Sequence, residues 1–224
     1  MKTIVVTGAN RGLGLEFARQ FSASGDRVIA TARHPEDAQE LRALDVRVEP
    51  LDVSDPSSVR AFAAKIAGEP VDMLINNAGK GGGRSSFEQT DWADVAAFFE
   101  ANSIGPMRVA QALLPNLRLN KRRLIASVTS RMGSIDDNSS GGAYGYRASK
   151  AALNMFNKSL SIDLATEGFT CLVLHPGWVR TDMGGAGSPL EARDSVADMV
   201  KIVNGATSAD SGRFIDHDGA TLPW

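Results

Sequence analysis

Short apolar runs alternate with longer amphipathic ones along the whole chain. The runs at 2–7 (KTIVVT), 27–31 (RVIAT), 46–50 (VRVEP), 71–75 (VDMLI), 122–128 (RRLIASV) and 169–175 (FTCLVLH) predict strands, with a last short one at 213–216 (RFID). Helical patterning covers 13–24, 35–44, 56–67, 89–101, 103–118, 144–166 and 191–203. Pro35 and Pro56 stand where a first helical turn begins, Asp55 suits a cap, and Gly25 and Gly168 suit helix ends. Near-continuous apolar strands separated by helices imply a parallel sheet buried on both faces. The expectation is a doubly wound, Rossmann-type α/β sandwich forming one domain over residues 1–224. The longest irregular stretches, 79–88, 131–143 and 176–190, each follow a strand. They should therefore gather at the carboxyl edge of the sheet, where open α/β folds bind ligands.

Composition narrows the class without naming a function. The chain has 224 residues, 22% charged and 43% hydrophobic, with a net charge of -2. That charge argues against nucleic acid as the main partner, because phosphate backbones call for a basic surface. The one cysteine, Cys171, sits in a strand-like apolar run and reads as a core thiol in a reducing cytosol. Met1-Lys2 leads straight into a strand, so no signal peptide is expected, and no apolar run reaches membrane-spanning length. A cytoplasmic protein without membrane or nucleic-acid partners is the expectation. The histidines have no metal-like spacing, and the carboxylates are scattered rather than paired.

The stretch TGANRGLG, behind the first strand, places Gly8, Gly12 and Gly14 within seven positions, with Arg11 among them. Gly8 permits a tight turn, Gly12 allows close backbone approach to a pyrophosphate, and Gly14 lets the helix pack on the strand. Uncapped amides and the helix dipole favour a phosphate at such a site. The spacing is GxxxGxG rather than GxGxxG, so the turn alone is moderately specific. More motifs follow in order: NNAG at 76–79, Asn102 in ANSIG, Ser130 in SVTSRMG, YRASK at 146–150 and PGWVRT at 176–181.

Together these motifs resemble the short-chain dehydrogenase/reductase family, in its single-domain branch, over residues 2 to 182. The segment DNSSGGAYGYRASKAALN is similar to small NADPH-dependent carbonyl reductases and C-factor-like proteins. The resemblance implies an oxidoreductase that moves a hydride between a nicotinamide and a carbonyl or alcohol. It makes Tyr146 the general acid and Lys150 the group that tunes it and holds the ribose. The two are four apart on a helix and share a face, whereas Tyr144 falls on another. A nearby ammonium favours phenolate and is expected to lower the pKa of Tyr146. The resemblance gives Ser130 the substrate oxygen and Asn102 a water in the proton path. The gap from Ser130 to Tyr146 is sixteen residues, which leaves Ser127 and Ser134 as alternatives to Ser130.

The same resemblance lays the cofactor along Gly8, Asn10, Arg11, Gly12, Leu13 and Gly14 of the turn. It adds Asp52 and Val53 at the adenine, and Asn76, Ala78 and Gly79 near the ribose. Pro176, Gly177, Val179 and Thr181 would meet the nicotinamide and phosphates. The second strand ends in Ala32 and then Arg33, where an acid would select NAD, so NADP(H) is the expected cofactor. Met132, Ile135 and Trp178, with Phe87 and Met183, would floor the substrate site, which implies a moderately hydrophobic ketone, aldehyde or quinone. Alanine and leucine on several faces of 89–118 and 144–166 suggest a homodimer or homotetramer. The rival expectation is a sensor or signalling protein that binds NADP(H) with little turnover.

Overall fold

A computed structural model describes residues 1–82 and 85–224. Gly83 and Arg84, inside the expected 79–88 loop, lie outside the described residues. Among these residues, β1 (Thr3–Val6), β2 (Arg27–Ala32), β3 (Arg47–Pro50), β4 (Met73–Asn76), β5 (Leu124–Val128) and β6 (Thr170–His175) join one sheet. Two further short strands, β7 (Val179–Arg180) and β8 (Leu190–Glu191), pair separately, and β9 (Phe214–Asp216) completes the main sheet. Its order is β3-β2-β1-β4-β5-β6-β9, and every pairing is parallel.

The strand pattern explains the two faces. Side chains alternate along a strand, so Ile4 and Val6 enter one core and Val5 the other. The first core joins α1 (Gly12–Ala23) and a helix at Ala192–Gly205; the second joins α3 (Pro56–Lys65) and a helix at Gly105–Arg118. The order in which strands are added reverses between β1 and β4, which opens a crevice at the carboxyl ends of those strands.

Three expected helices differ from expectation. The run 35–44 is broken into a 3-10 turn at Pro35–Asp37 and a four-residue helix, α2 (Gln39–Arg42). Only Ala38 and Leu41 of it are buried, too little apolar face to hold three turns. The runs 89–101 and 103–118 are one continuous rod. Helix α4 (Trp92–Phe99) passes through a π-helical stretch, Glu100–Ile104, directly into α5 (Gly105–Arg118). Pro106 has no N–H to offer the carbonyl of Asn102 four residues earlier, and the widened turn absorbs that loss. The remaining helices are α6 (Tyr144–Asp163) and α7 (Ala192–Gly205). Asp55 caps α3 as expected, its carboxylate accepting the N–H of Ser57 at 2.8 Å. No helix among the described residues is long and apolar enough to cross a membrane.

The three long loops meet at the carboxyl edge. A Cβ built on Gly81 would lie 2.5 Å from Met183, and one on Gly142 would lie 3.4 Å from the carbonyl oxygen of Ser85.

Candidate active site

Three side chains converge where β5 ends and α6 begins. Ser130 leaves β5 as the cap of a 3-10 turn, Arg131–Gly133, its hydroxyl accepting the N–H of Met132 at 3.1 Å. The same hydroxyl is hydrogen bonded to Tyr146, in the first turn of α6. Lys150 lies one turn on, buried, with Nζ 5.9 Å from the Tyr146 ring centre. Its ammonium donates to the carbonyl oxygen of Val128 at 2.8 Å. A Cβ on Gly133 would approach the Lys150 backbone to 2.8 Å, so the turn can sit flush on α6 only with glycine there. Asn154 bonds Thr129 at 2.7 Å and secures the same contact.

The electrostatics correct one expectation. Burial is the larger influence on Tyr146 and raises its pKa, with the Ser130 hydrogen bond pulling the other way. Lys150 is pulled down to about 8 by burial. The expected lowering of the phenol by its cation is therefore not the dominant effect. Of the alternative serines, Ser127 is buried inside β5 under Asn76, and Ser134 donates to the main-chain oxygen of Trp224.

Asn102 occupies the π-helical stretch and is fully buried. Its Oδ1 accepts the Lys80 N–H at 2.7 Å, and its Nδ2 donates to the Lys80 carbonyl at 3.0 Å and to Ser149 Oγ at 3.0 Å. Ser149 donates onward to the carbonyl of Tyr146 at 2.8 Å. Asn102 thus ties the loop after β4 to α6, and Gly79 packs against it and near Lys150. Ser149 lies within YRASK, yet its part as a link was not read from the sequence.

The glycine turn is tightly built. Gly8 and Gly12 have φ of +64° and +55°, a region that favours glycine. A Cβ on Gly14 would collide with the Gly8 carbonyl. Arg11 precedes α1 at the cap position without a side-chain cap, and the first turn holds no acid, so the leading amides remain open donors. Asn10 and Arg11 are exposed, and Leu13 rests against the core. Thr7 and Asn77, both missed in the sequence reading, clamp this turn. Thr7 Oγ1 accepts the N–H of Asn77 and of Ala78 at 3.0 Å, and Asn77 Nδ2 donates to the carbonyls of Thr7 and Gly8 at 2.9 and 3.0 Å. Both residues stand inside quoted motifs, but only the fold brings β1 and β4 side by side.

Asn76 is buried, with Nδ2 reaching Pro106 O at 3.3 Å. Asp52 accepts from Ser54 N–H at 2.9 Å, and the Val53 carbonyl accepts from Arg108 at 3.0 Å. The Pro176–Thr181 segment folds back onto the turn: Thr181 comes within 3.5 Å of a Cβ built on Gly12. Pro176 O accepts from Ser195 at 2.6 Å, Gly177 has φ +81° against His217, and Val179 pairs with Leu190. Arg11 bridges Asp182 at 2.9 Å with both groups exposed. Arg33 is exposed and has no ion pair among the described residues.

A cavity of about 280 Å³ opens beside Tyr146, between Phe98, Val95 and Tyr144 on one side and Thr90, Asp91 and Asp94 on another. None of Met132, Ile135, Trp178, Phe87 and Met183 lines this cavity. Trp178 is 62% exposed and hydrogen bonded to the Gly184 carbonyl at 2.9 Å; Ile135 is 80% exposed. Phe87 packs edge-on against Trp92 and Tyr144 outside the cavity. The lining is mixed rather than apolar. Just after β2, His34, Glu36 and Asp37 bring one donor atom each within 4.8 Å on an exposed turn, a common surface arrangement.

The fold is shared with known proteins. The family model for short chain dehydrogenases matches residues 2–190. The C-signal of Myxococcus xanthus is 51% identical over 166 residues, all of that protein and 74% of this chain. The carbonyl reductase Sniffer of D. melanogaster superposes with a TM-score of 0.95 at 32% identity, covering 100% of both chains. The NADPH-bound carbonyl reductase from chicken fatty liver superposes with a TM-score of 0.93 at 35% identity, over 100% of this chain and 99% of that one. The chain belongs to the short chain dehydrogenase family of oxidoreductases.

Proposed function

We propose that the protein is an NADP(H)-dependent reductase of ketones, aldehydes or quinones. The observation that carries this is the hydrogen bond between Ser130 and Tyr146 at the mouth of a cavity, with Lys150 one turn away. When bound, the nicotinamide supplies the hydride. Ser130 binds and polarises the carbonyl oxygen as negative charge gathers on it. Tyr146 Oη holds the proton that this oxygen takes up. Lys150 holds the ribose side of the site, and Asn102 fixes the loop that carries Gly79 against it.

The residues fit such a cofactor. The open amides of α1 and the glycine cradle suit a pyrophosphate, through Gly8, Asn10, Gly12, Leu13 and Gly14. The unpaired Arg33, with Arg11 beyond it, suits a 2′-phosphate. Asp52 and Val53 are assigned to the adenine, Asn76, Ala78 and Gly79 to the ribose side, and Pro176, Gly177, Val179 and Thr181 to the nicotinamide end. The NADP(H) found with the chicken enzyme supports the same cofactor. The proposed assembly is a cytoplasmic homodimer or homotetramer, with the groove between Ile104, Met107, Phe156 and Leu160 as the contact face.

A second reading, an NADP(H)-binding signalling protein with little turnover, is favoured by the likeness to the C-signal. The complete Ser130–Tyr146–Lys150 set argues against it, since binding alone has no need of a proton donor. A panel of carbonyl compounds scored for NADPH oxidation separates the two. Turnover with at least one class supports the reductase; tight NADPH binding with no oxidation across the panel supports the sensor.

A further inference from the structure

The turn that carries Ser130 is held from two sides. On one side is α6, through Gly133 against Lys150 and Asn154 on Thr129. On the other is the segment after β9, whose His217 also packs against Gly177. After β9 the chain doubles back, and Ile215 pairs with Thr221 in an antiparallel bridge. The Leu222 N–H donates to Phe214 O at 2.9 Å, and the Leu222 side chain, 6% exposed, joins Val173 and Phe214. This hairpin delivers Trp224 to the stretch just beyond the Ser130 turn.

There one oxygen serves three donors. The Trp224 main-chain oxygen accepts the N–H groups of Ile135 and Asp136, both at 3.0 Å, and the Ser134 hydroxyl at 3.1 Å. The Ser134 hydroxyl in turn accepts the Asp137 N–H at 3.0 Å. The Trp224 ring lies on Phe214, with ring centres 5.6 Å apart and planes 31° from parallel. From Ile135 to Gly141 every residue is exposed, so this loop has no buried side chain of its own to anchor it. Its backbone hydrogen bonds to Trp224 anchor its first residues, with Arg131 at Asp137 (3.6 Å) and Arg147 on Ser140 (2.9 Å) further along. Arg131, next to Ser130, adds a tie to the same hairpin through Asp216 at 3.0 Å.

We infer that Trp224 is a positioning residue for Ser130: its ring, seated on Phe214, sets the oxygen that fixes residues 134–137 and thereby the serine turn. The inference rests on the reductase reading, because it acts through Ser130. None of the hydrogen bonds of Trp224 runs to Tyr146, Lys150 or the glycine turn among the described residues. Its loss should slow turnover without weakening cofactor binding.

The test compares Trp224→Ala, Trp224→Phe and Ser130→Ala, alone and combined. Trp224→Ala should lower kcat about 10-fold, a fraction of what deleting an oxyanion donor costs. NADPH affinity should stay within about 2-fold, and hydrogen exchange at the Ile135 and Asp136 amides should quicken. Trp224→Phe keeps a ring for Phe214 and should restore most of kcat. In a Ser130→Ala background, Trp224→Ala should cost less than about 2-fold more, as expected for residues that act as one unit. Wild-type kcat in Trp224→Ala, unchanged exchange, or the same fold-loss in both backgrounds would overturn the inference. Failure of the reductase reading shows differently: Ser130→Ala itself would then turn over like wild type, which removes the basis of both.

Discussion

Lys150 holds its ammonium 5.9 Å from the centre of the Tyr146 ring and donates to the carbonyl oxygen of Val128 at 2.8 Å. The lysine therefore also fastens α6 to the end of β5, two residues before Ser130. Burial at this junction has opposite effects on the two groups, raising the phenol and bringing the amine down to about 8. At neutral pH the phenol is protonated, which is the form a proton donor must have.

The direction of the reaction should follow that protonation. Reduction consumes the phenol, present below its pKa, and oxidation consumes the phenolate, present above it. With the pKa of Tyr146 raised, kcat/KM for reduction should hold level through neutral pH and fall only on the alkaline side. Oxidation of the matching alcohol should climb with pH through neutral and on into the alkaline range. Rate profiles in both directions measure this, and reduction that accelerates with rising pH would contradict it.

Arg33 should carry the cofactor preference. It is exposed and unpaired among the described residues, whereas Arg11 must share its charge with Asp182. Arg33→Ala should lower the NADPH-over-NADH ratio of kcat/KM by about 10-fold or more, the worth of a charge-assisted hydrogen bond. Arg11→Ala should cost less. An unchanged ratio in Arg33→Ala would assign the preference elsewhere.

Gly133→Ala tests the contact that seats the serine turn on α6. The added methyl would lie 2.8 Å from the Lys150 backbone, so one segment must move. A stability loss of about 1–3 kcal/mol is expected, with a drop in turnover well beyond what the lost stability explains. Gly205→Ala is the control, because nothing lies within 4 Å of a Cβ there. Urea titrations and initial rates on both variants decide the matter; equal behaviour would mean that the turn tolerates displacement.

The alternation of strands and helices was legible because each strand is buried on both faces and reads as an apolar run, as in Leu124–Val128 and Thr170–His175. The cap at Asp55 and the chain end of α1 near Gly25 carry local signals of the same kind. What the sequence concealed depends on contacts between distant segments. Thr7 and Asn77 meet only because β1 and β4 are neighbours. The fusion of α4 with α5 turns on how a buried Asn102 and the missing N–H of Pro106 share one widened turn. Met132, Ile135 and Trp178, expected as an apolar floor, do not line the cavity beside Tyr146, and long loops have no periodicity from which to read orientation. For Trp224, no pattern in TLPW says which loop it reaches.

Tyr146→Phe gives the most direct reading of the central claim, since it removes one oxygen and leaves the ring against Phe98. NADPH-dependent carbonyl reduction should fall by about 100-fold or more, while NADPH still binds as in wild type. Reduction at the wild-type rate by this variant would contradict the account.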